Sequence, residues 1–256
     1  MKKIILCSFI VASLLNTVSS NAQEKVKFTK EQRKVMDDNL FQENFTGFSS
    51  KKTTTVILKD GKTIKGAATD LDRKKGQIYA IEIKQISGKK QEYKAKEIAE
   101  MYLPISTSAK ISKINGYFGN AKNWGRKSLN KTTNPNEIYV RNVKASLKNK
   151  KEEQEFLMQL INPDFNHIIE VYADPTAGQT MSVGFGGGPA IGGGLTKSYY
   201  IKKGDEVIWL KKSEFEDHYQ FMFGDNEEFM KKFPYKSIEW EQLSYLIAEY
   251  TNLASK

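Results

Sequence analysis

Seven of the eleven residues from Gly184 to Gly194 are glycine, and the stretch that holds them, Ser182 to Leu195 (SVGFGGGPAIGGGL), is otherwise almost wholly apolar. Glycine lacks the Cβ that limits φ and ψ and loses the most conformational entropy on ordering, so this composition argues against a helix. The flanks, Asn166 to Ala173 (NHIIEVYA) and Lys197 to Leu210 (KSYYIKKGDEVIWL), carry the β-branched and aromatic residues that suit a pleated surface. The stretch is therefore expected to join two strand regions. Bare backbone amides suit a phosphate, but the spelling fails. A P-loop needs a second glycine directly before Lys-Ser, where Thr196 precedes Lys197-Ser198, and a dinucleotide turn needs a glycine where Pro189 stands. Two readings stay open. One is a bulged structural connection, and the other is a contact loop whose candidate binding residues are Phe185, Gly186, Gly187, Gly188 and Ile191, with Lys197 and Tyr199 at its exit.

Met1 to Ala22 has the layout of a secretory signal peptide. Lys2 and Lys3 form the charged start, Ile4 to Leu15 the apolar centre, and Ser20-Asn21-Ala22 a small-residue cleavage site. The apolar run is short of the roughly 20 residues a spanning helix needs, so no transmembrane segment is expected after cleavage. The single cysteine, Cys7, lies inside this leader. Disulfides, thiolate metal sites and a cysteine nucleophile are thus excluded from the exported chain. The formal net charge is +10, to which the leader's two lysines contribute. Such an excess permits contact with anionic lipid headgroups or acidic polysaccharide, and is equally compatible with a solvated surface.

After a lead-in over residues 23–50, in which Phe28 to Phe41 reads as a helix with a Thr29/Gln32 capping box, comes the best-patterned region of the chain. Thr54 to Leu58 and Thr63 to Ala68 flank Asp60-Gly61, a strong hairpin signal. Ile78 to Ile86 follows Gly76, Ser87-Gly88 turns it into Gln91 to Lys94, and Lys94 to Leu103 adds a helical turn and an edge strand before Pro104. These short strands, within residues 51–105, predict an SH3-like or Sm-like β-barrel unit. Residues 106–136, punctuated by Gly116, Gly119, Gly125 and Pro135, read as a connecting segment and domain boundary.

Residues 137–256 read as an α+β unit. Glu137 to Lys144 is a strand, and Lys150 to Ile161 a helix with Phe156, Leu157, Leu160 and Ile161 on one face. Strands at Ile168 to Ala173, Ser198 to Ile201 and Glu206 to Leu210 form a small antiparallel sheet around the Gly-rich loop 182–195. The C-terminus is helical: Ser213 and Glu216 suggest a capping box, Gly224 a C-terminal stop, Asp225 the cap of a second helix, and Leu243, Leu246, Ile247, Tyr250 and Leu253 the face of a third. The fold class is α+β, a small barrel followed by a sheet with C-terminal helices.

Catalytic signatures are weak. The two histidines, His167 and His218, lack metalloprotease spacing, so no metal or cofactor is expected. His218, Asp174 and either Ser182 or Ser198 compose a conceivable hydrolase triad, without a nucleophile-elbow motif around Ser182. Asp217, Asp225, Glu227 and Glu228 do not follow the EF-hand order. Lys59, Lys62, Lys65, Arg73, Lys74 and Lys75 crowd the barrel region, but no aromatic stripe interleaves with them, and nucleic acid is not expected. Lysine there serves equally to protect strand edges.

The signal ending Ser20-Asn21-Ala22-Gln23, and the blocks Lys59 to Gly66 (KDGKTIKG), Leu160 to Ala177 (LINPDFNHIIEVYADPTA) and Lys197 to Pro234, resemble uncharacterised exported proteins of Bacteroidota. The resemblance implies an envelope with an outer membrane and an accessory role; it carries no catalytic residue. The expectation is an exported, non-enzymatic binding or structural protein, periplasmic or secreted, whose partner is an envelope protein, lipid or polysaccharide. An envelope hydrolase using His218 and Asp174, or a membrane-surface protein dipping its apolar loop, are the alternatives.

Overall fold

A computed structural model describes residues 26–42, 44, 47–107, 136–150, 152–178 and 196–255. Ten strands are present there: β1 (Thr53–Leu58), β2 (Thr63–Lys74), β3 (Gln77–Lys84), β4 (Lys90–Lys94), β5 (Ile98–Pro104), β6 (Glu137–Ser146), β7 (Glu153–Gln159), β8 (Ile169–Ala173), β9 (Ser198–Lys203) and β10 (Glu206–Lys211). The α-helices are α1 (Lys30–Met36), α2 (Tyr219–Phe223), α3 (Glu227–Lys232) and α4 (Leu243–Ala254).

β1, β2, β3, β7, β6 and β5 close into a six-stranded antiparallel barrel, with β4 hanging from β3. The seam is narrow, since β3 meets β7 only where Ile78 faces Leu157. The long β2 wraps the barrel through bulges at Ala68/Asp70 and Asp72/Arg73, which increase its bend. Gly66 lets β2 pass close over β3: a Cβ there would lie 2.5 Å from the Lys84 carbonyl oxygen and 2.6 Å from Ile83 Cγ2. The interior holds Val56, Ala68, Ile83, Ile98, Met101, Leu103, Val140 and Leu157. A cavity of about 20 Å³, roughly the room of one water, lies between Asn44, Phe48, Arg73, Gln77, Gln159 and Pro175.

The outer face of β6 and β7 packs Val143, Ala145, Leu147, Phe156 and Met158 against Tyr172 and Tyr200 of the second sheet, ordered β10-β9-β8. That sheet's other face, with Ile169, Val171, Ile201, Ile208 and Leu210, meets the helices. The layers thus run barrel, sheet, helices. Among the described residues no helix is long and apolar enough to cross a membrane.

Three expectations change. Lys150 to Ile161 is not a helix; its centre is β7, paired with β6 from Val140–Gln159 to Ser146–Glu153. Both faces of β7 are covered, by the barrel core and by the second sheet, so Phe156, Leu157 and Met158 are buried in succession and the alternation that marks a strand is lost. β5 is not an edge strand, because β6 pairs with it from Glu100–Arg141 to Pro104–Glu137. The segment 106–136 therefore separates strands of one barrel, and the division between units 51–105 and 137–256 does not hold.

The helix ends follow their local sequence signals unevenly. The Thr29/Gln32 box forms, with Gln32 N–H donating to Thr29 Oγ1 at 3.2 Å and Thr29 N–H to Gln32 Oε1 at 2.8 Å. No Ser213/Glu216 box caps α2. His218 holds its N-cap position without a side-chain bond, and the capping residue of α3 is Asn226, not Asp225. Gly224 ends α2 in ordinary right-handed backbone, φ −68°. The α2 carbonyls are met instead from the sheet: Lys203 Nζ donates to the Met222 carbonyl at 2.9 Å and pairs with Asp225 at 2.8 Å.

Candidate functional site

Two tight turns meet at the barrel's junction with the second sheet. β2 turns into β3 through Lys75 and Gly76 with φ +47° and +84°, and β6 leaves for β7 through Lys148 and Asn149 with φ +59° and +51°. In the two-residue β2–β3 turn, positive φ at both central residues matches the right-handed twist of a hairpin, and asparagine, aspartate and glycine fit it best. The β6–β7 connection is longer, its first turn closed by the Asn149 N–H donating to the Ser146 carbonyl at 3.3 Å. Lysine in that conformation costs about 1 kcal/mol from the Cβ–carbonyl contact. Gly76 is required for a second reason: a Cβ there would lie 2.9 Å from Pro175 Cβ, so the turn presses on the chain leaving β8.

The second turn is fastened to β10 by a two-way bond. Asn149 Nδ2 donates to the Trp209 carbonyl at 3.1 Å, and the Trp209 N–H donates to Asn149 Oδ1 at 2.9 Å. Trp209 is fixed below by Asp174, a fully buried carboxylate. Its Oδ2 accepts from Trp209 Nε1 at 2.8 Å and from Ser198 Oγ at 2.7 Å; its Oδ1 accepts from the Thr176 N–H at 2.9 Å and from Thr176 Oγ1 at 2.8 Å. A buried carboxylate whose oxygens accept from four donors is fully satisfied and rigidifies what it touches.

Around this frame stand lysines. Lys148 Nζ and Lys211 Nζ lie 5.4 Å and 4.9 Å from the Trp209 ring centre, attracted by its electron-rich face. Lys75 Nζ donates to the Leu147 carbonyl at 3.3 Å, bridging the two turns. Burial, then the charges of Lys150, Lys148 and Lys74, hold the Lys75 ammonium below the usual lysine pKa. Lys74 has Glu152 at 3.6 Å, and Lys211 pairs with Glu214. Lys75, Lys148 and Lys150 form no ion pair with a carboxylate among the described residues. The surface is a pre-set arrangement of like charges, suited to an anion.

The structure treats the sequence-derived candidates unequally. Phe185, Gly186, Gly187, Gly188 and Ile191 lie outside the described residues, as do Ser182 and the rest of the Gly-rich stretch. Its base is visible: the Lys197 N–H donates to the Gly178 carbonyl at 2.9 Å, closing a neck beside Pro175 and the Lys75 turn. Lys197 is exposed. Tyr199 is partly buried: its ring stacks on Trp240 at 5.5 Å and meets Phe41 edge-on at 5.3 Å, and burial pushes its hydroxyl pKa up. The imagined triad does not assemble. Ser198 does bond Asp174, but the side-chain donors on that carboxylate are Ser198, Thr176 and Trp209, and no hydrogen bond joins it to His218 at the start of α2.

Of the basic residues noted in the sequence, Arg73, Lys74 and Lys75 reach the junction, while Lys59 and Lys62 are paired with Glu155 and Asp60. Lys148, Lys150 and Trp209 were missed. Their signal was a charged Lys148-Asn149-Lys150 turn after a strand, hidden by reading a helix from Lys150. Set against models of protein families, curated proteins and solved structures, the chain matches none.

Proposed function

We propose that the chain is an exported, non-enzymatic binding protein of the cell envelope and that the barrel–sheet junction is its contact face. The observation that carries this is the gathering of Lys75, Lys148 and Lys150 on a rigid frame, with no carboxylate ion-paired to them among the described residues. The signal-like leader supports export, and an acidic envelope component supplies the missing counter-charge. The order β5-β1-β2-β3-β4, with a 3-10 turn over Ala95–Glu97 before β5, supports an SH3-like description of the barrel, a scaffold suited to binding. Nucleic acid is the less favoured partner, since among the described residues no row of exposed aromatic rings accompanies the lysines.

The test is capture from envelope extract by the mature protein, comparing wild type with Lys75→Gln/Lys148→Gln/Lys150→Gln. Wild type is expected to retain an acidic component that the triple variant loses and that rising salt releases. Retention by both proteins alike would move the contact face elsewhere. An activity on envelope polymers abolished by the same substitutions would replace binding with catalysis.

A further inference from the structure

We infer that the Lys75 and Lys148 turns together form a phosphomonoester site, a deepening that rests on the binding face proposed above. Three features converge on this chemistry. First, both turns place lysine at the first left-handed position, where asparagine or glycine would be easier, so these side chains are held at a conformational cost. Second, the turns touch: Lys75 Nζ reaches the Leu147 carbonyl across the gap, and Lys150, two residues after Lys148, lies near enough for its charge to act on the Lys75 ammonium. Third, the frame is rigid, with Asn149 locked to Trp209 and Trp209 locked to buried Asp174. Rigid placement reduces what must be ordered on binding.

The charge balance selects the ligand. Lys75, Lys148 and Lys150 offer three point charges in one neighbourhood, more than a lone carboxylate neutralises. A phosphomonoester carries close to two negative charges at neutral pH and three acceptor oxygens for three ammonium groups. Planar fork recognition is not what this site offers, because the nearby Arg73 has Nη1 donating at 2.7 Å to the Gly76 carbonyl of its own turn. The phosphate can be free or carried by an envelope glycan, and the two sources are separable by experiment.

The experiment is an amide chemical-shift titration of the mature chain with inorganic phosphate and, separately, glucose 6-phosphate, against sodium chloride at matched ionic strength. Shifts are expected to concentrate at residues 74–77, 147–150 and the Trp209 indole N–H. Lys75→Asn/Lys148→Asn is the decisive variant, because asparagine fits the left-handed turns. It should melt no lower than wild type while phosphate affinity falls about tenfold or more, the loss expected for removing charge-assisted bonds. Lys62→Gln/Lys65→Gln should leave affinity unchanged. Equal binding by the Asn variant, or equal shifts with chloride, overturns the site. Tighter binding of the sugar phosphate than of free phosphate identifies a glycan-borne group, and equal affinity identifies phosphate itself. If wild type captures an envelope component but ignores both phosphates, this inference falls and the binding face stands; if it binds phosphate but captures nothing, the envelope reading falls and the site stands.

Discussion

The barrel interior and the core beneath the helices are built from different residues. Eight of the fully buried members of the helical core are aromatic: Phe41, Phe215, Tyr219, Phe223, Phe229, Phe233, Trp240 and Tyr250. The barrel core has one, Tyr93, amid Val, Ile, Leu, Met and Ala. The difference follows from what each layer supplies for itself. Strands satisfy one another's backbone groups around the barrel, and six of them enclose a space that small aliphatic side chains fill. Helices of five and six residues, as α2 and α3 are, cannot hold themselves together, so they depend on large side chains to fix them to the sheet. Phe223 is central to this, with ring centres at 4.7 Å to Phe229, 5.0 Å to Tyr219 and 5.5 Å to Tyr250.

The largest expected effect breaks the aromatic layer. Phe223→Ala should cost about 3–5 kcal/mol, by lost burial and a cavity that short helices cannot close. Urea unfolding followed by far-ultraviolet dichroism measures it; a loss below about 1 kcal/mol would mean the layer repacks and the contrast with the barrel is wrong. Next is the junction that joins the two regions. Asp174→Ala leaves Ser198 and the Trp209 indole without their shared carboxylate acceptor and should cost about 2–3 kcal/mol, with a change in Trp209 emission. If emission is unchanged, the Trp209 frame does not depend on this carboxylate.

A smaller effect of opposite sign sharpens the barrel side. Thr54 points into the barrel, is fully buried, and its hydroxyl has no hydrogen-bond partner among the described residues. Thr54→Val keeps the shape and removes the unsatisfied oxygen, so it should stabilise by about 1 kcal/mol in the same urea experiment. A destabilising result would place a partner on that hydroxyl. The smallest effect concerns Asp225. Burial tends to raise its pKa, but bonds from Lys203 and from Tyr250 at 2.7 Å outweigh that and hold it below 3.8. A folded pKa below the unfolded one means stability present above about pH 4 and lost as the pH falls through the folded value. Because the side chain is 60% exposed, Asp225→Asn should cost well under about 1 kcal/mol at pH 7. The difference from wild type should vanish in acid; a difference that persists there would be packing, not charge.

Local chemistry alone set much of the chain. Asp60-Gly61 and Ser87-Gly88 predicted two of the barrel hairpins, because positive φ is a property of a few residue types, and Gly61 and Gly88 have φ of +84° and +83°. The Thr29/Gln32 box and the spacing of Leu243, Leu246, Ile247 and Tyr250 are likewise matters of neighbours along the chain. Tertiary structure decided what depends on partners far away. β7 became a strand because β6 and two hydrophobic layers claimed it, overriding a spacing that suits a helix equally well. Asp225 gave the α3 cap to Asn226 because Lys203 of β9 and Tyr250 of α4 hold it. The candidate site is the extreme case: Lys75, Lys148 and Trp209 lie on three separate elements, and nothing in their spacing reveals that two turns and a strand converge. Turn propensity is encoded within a few residues, whereas a charge cluster assembled across strands exists only once the chain has folded.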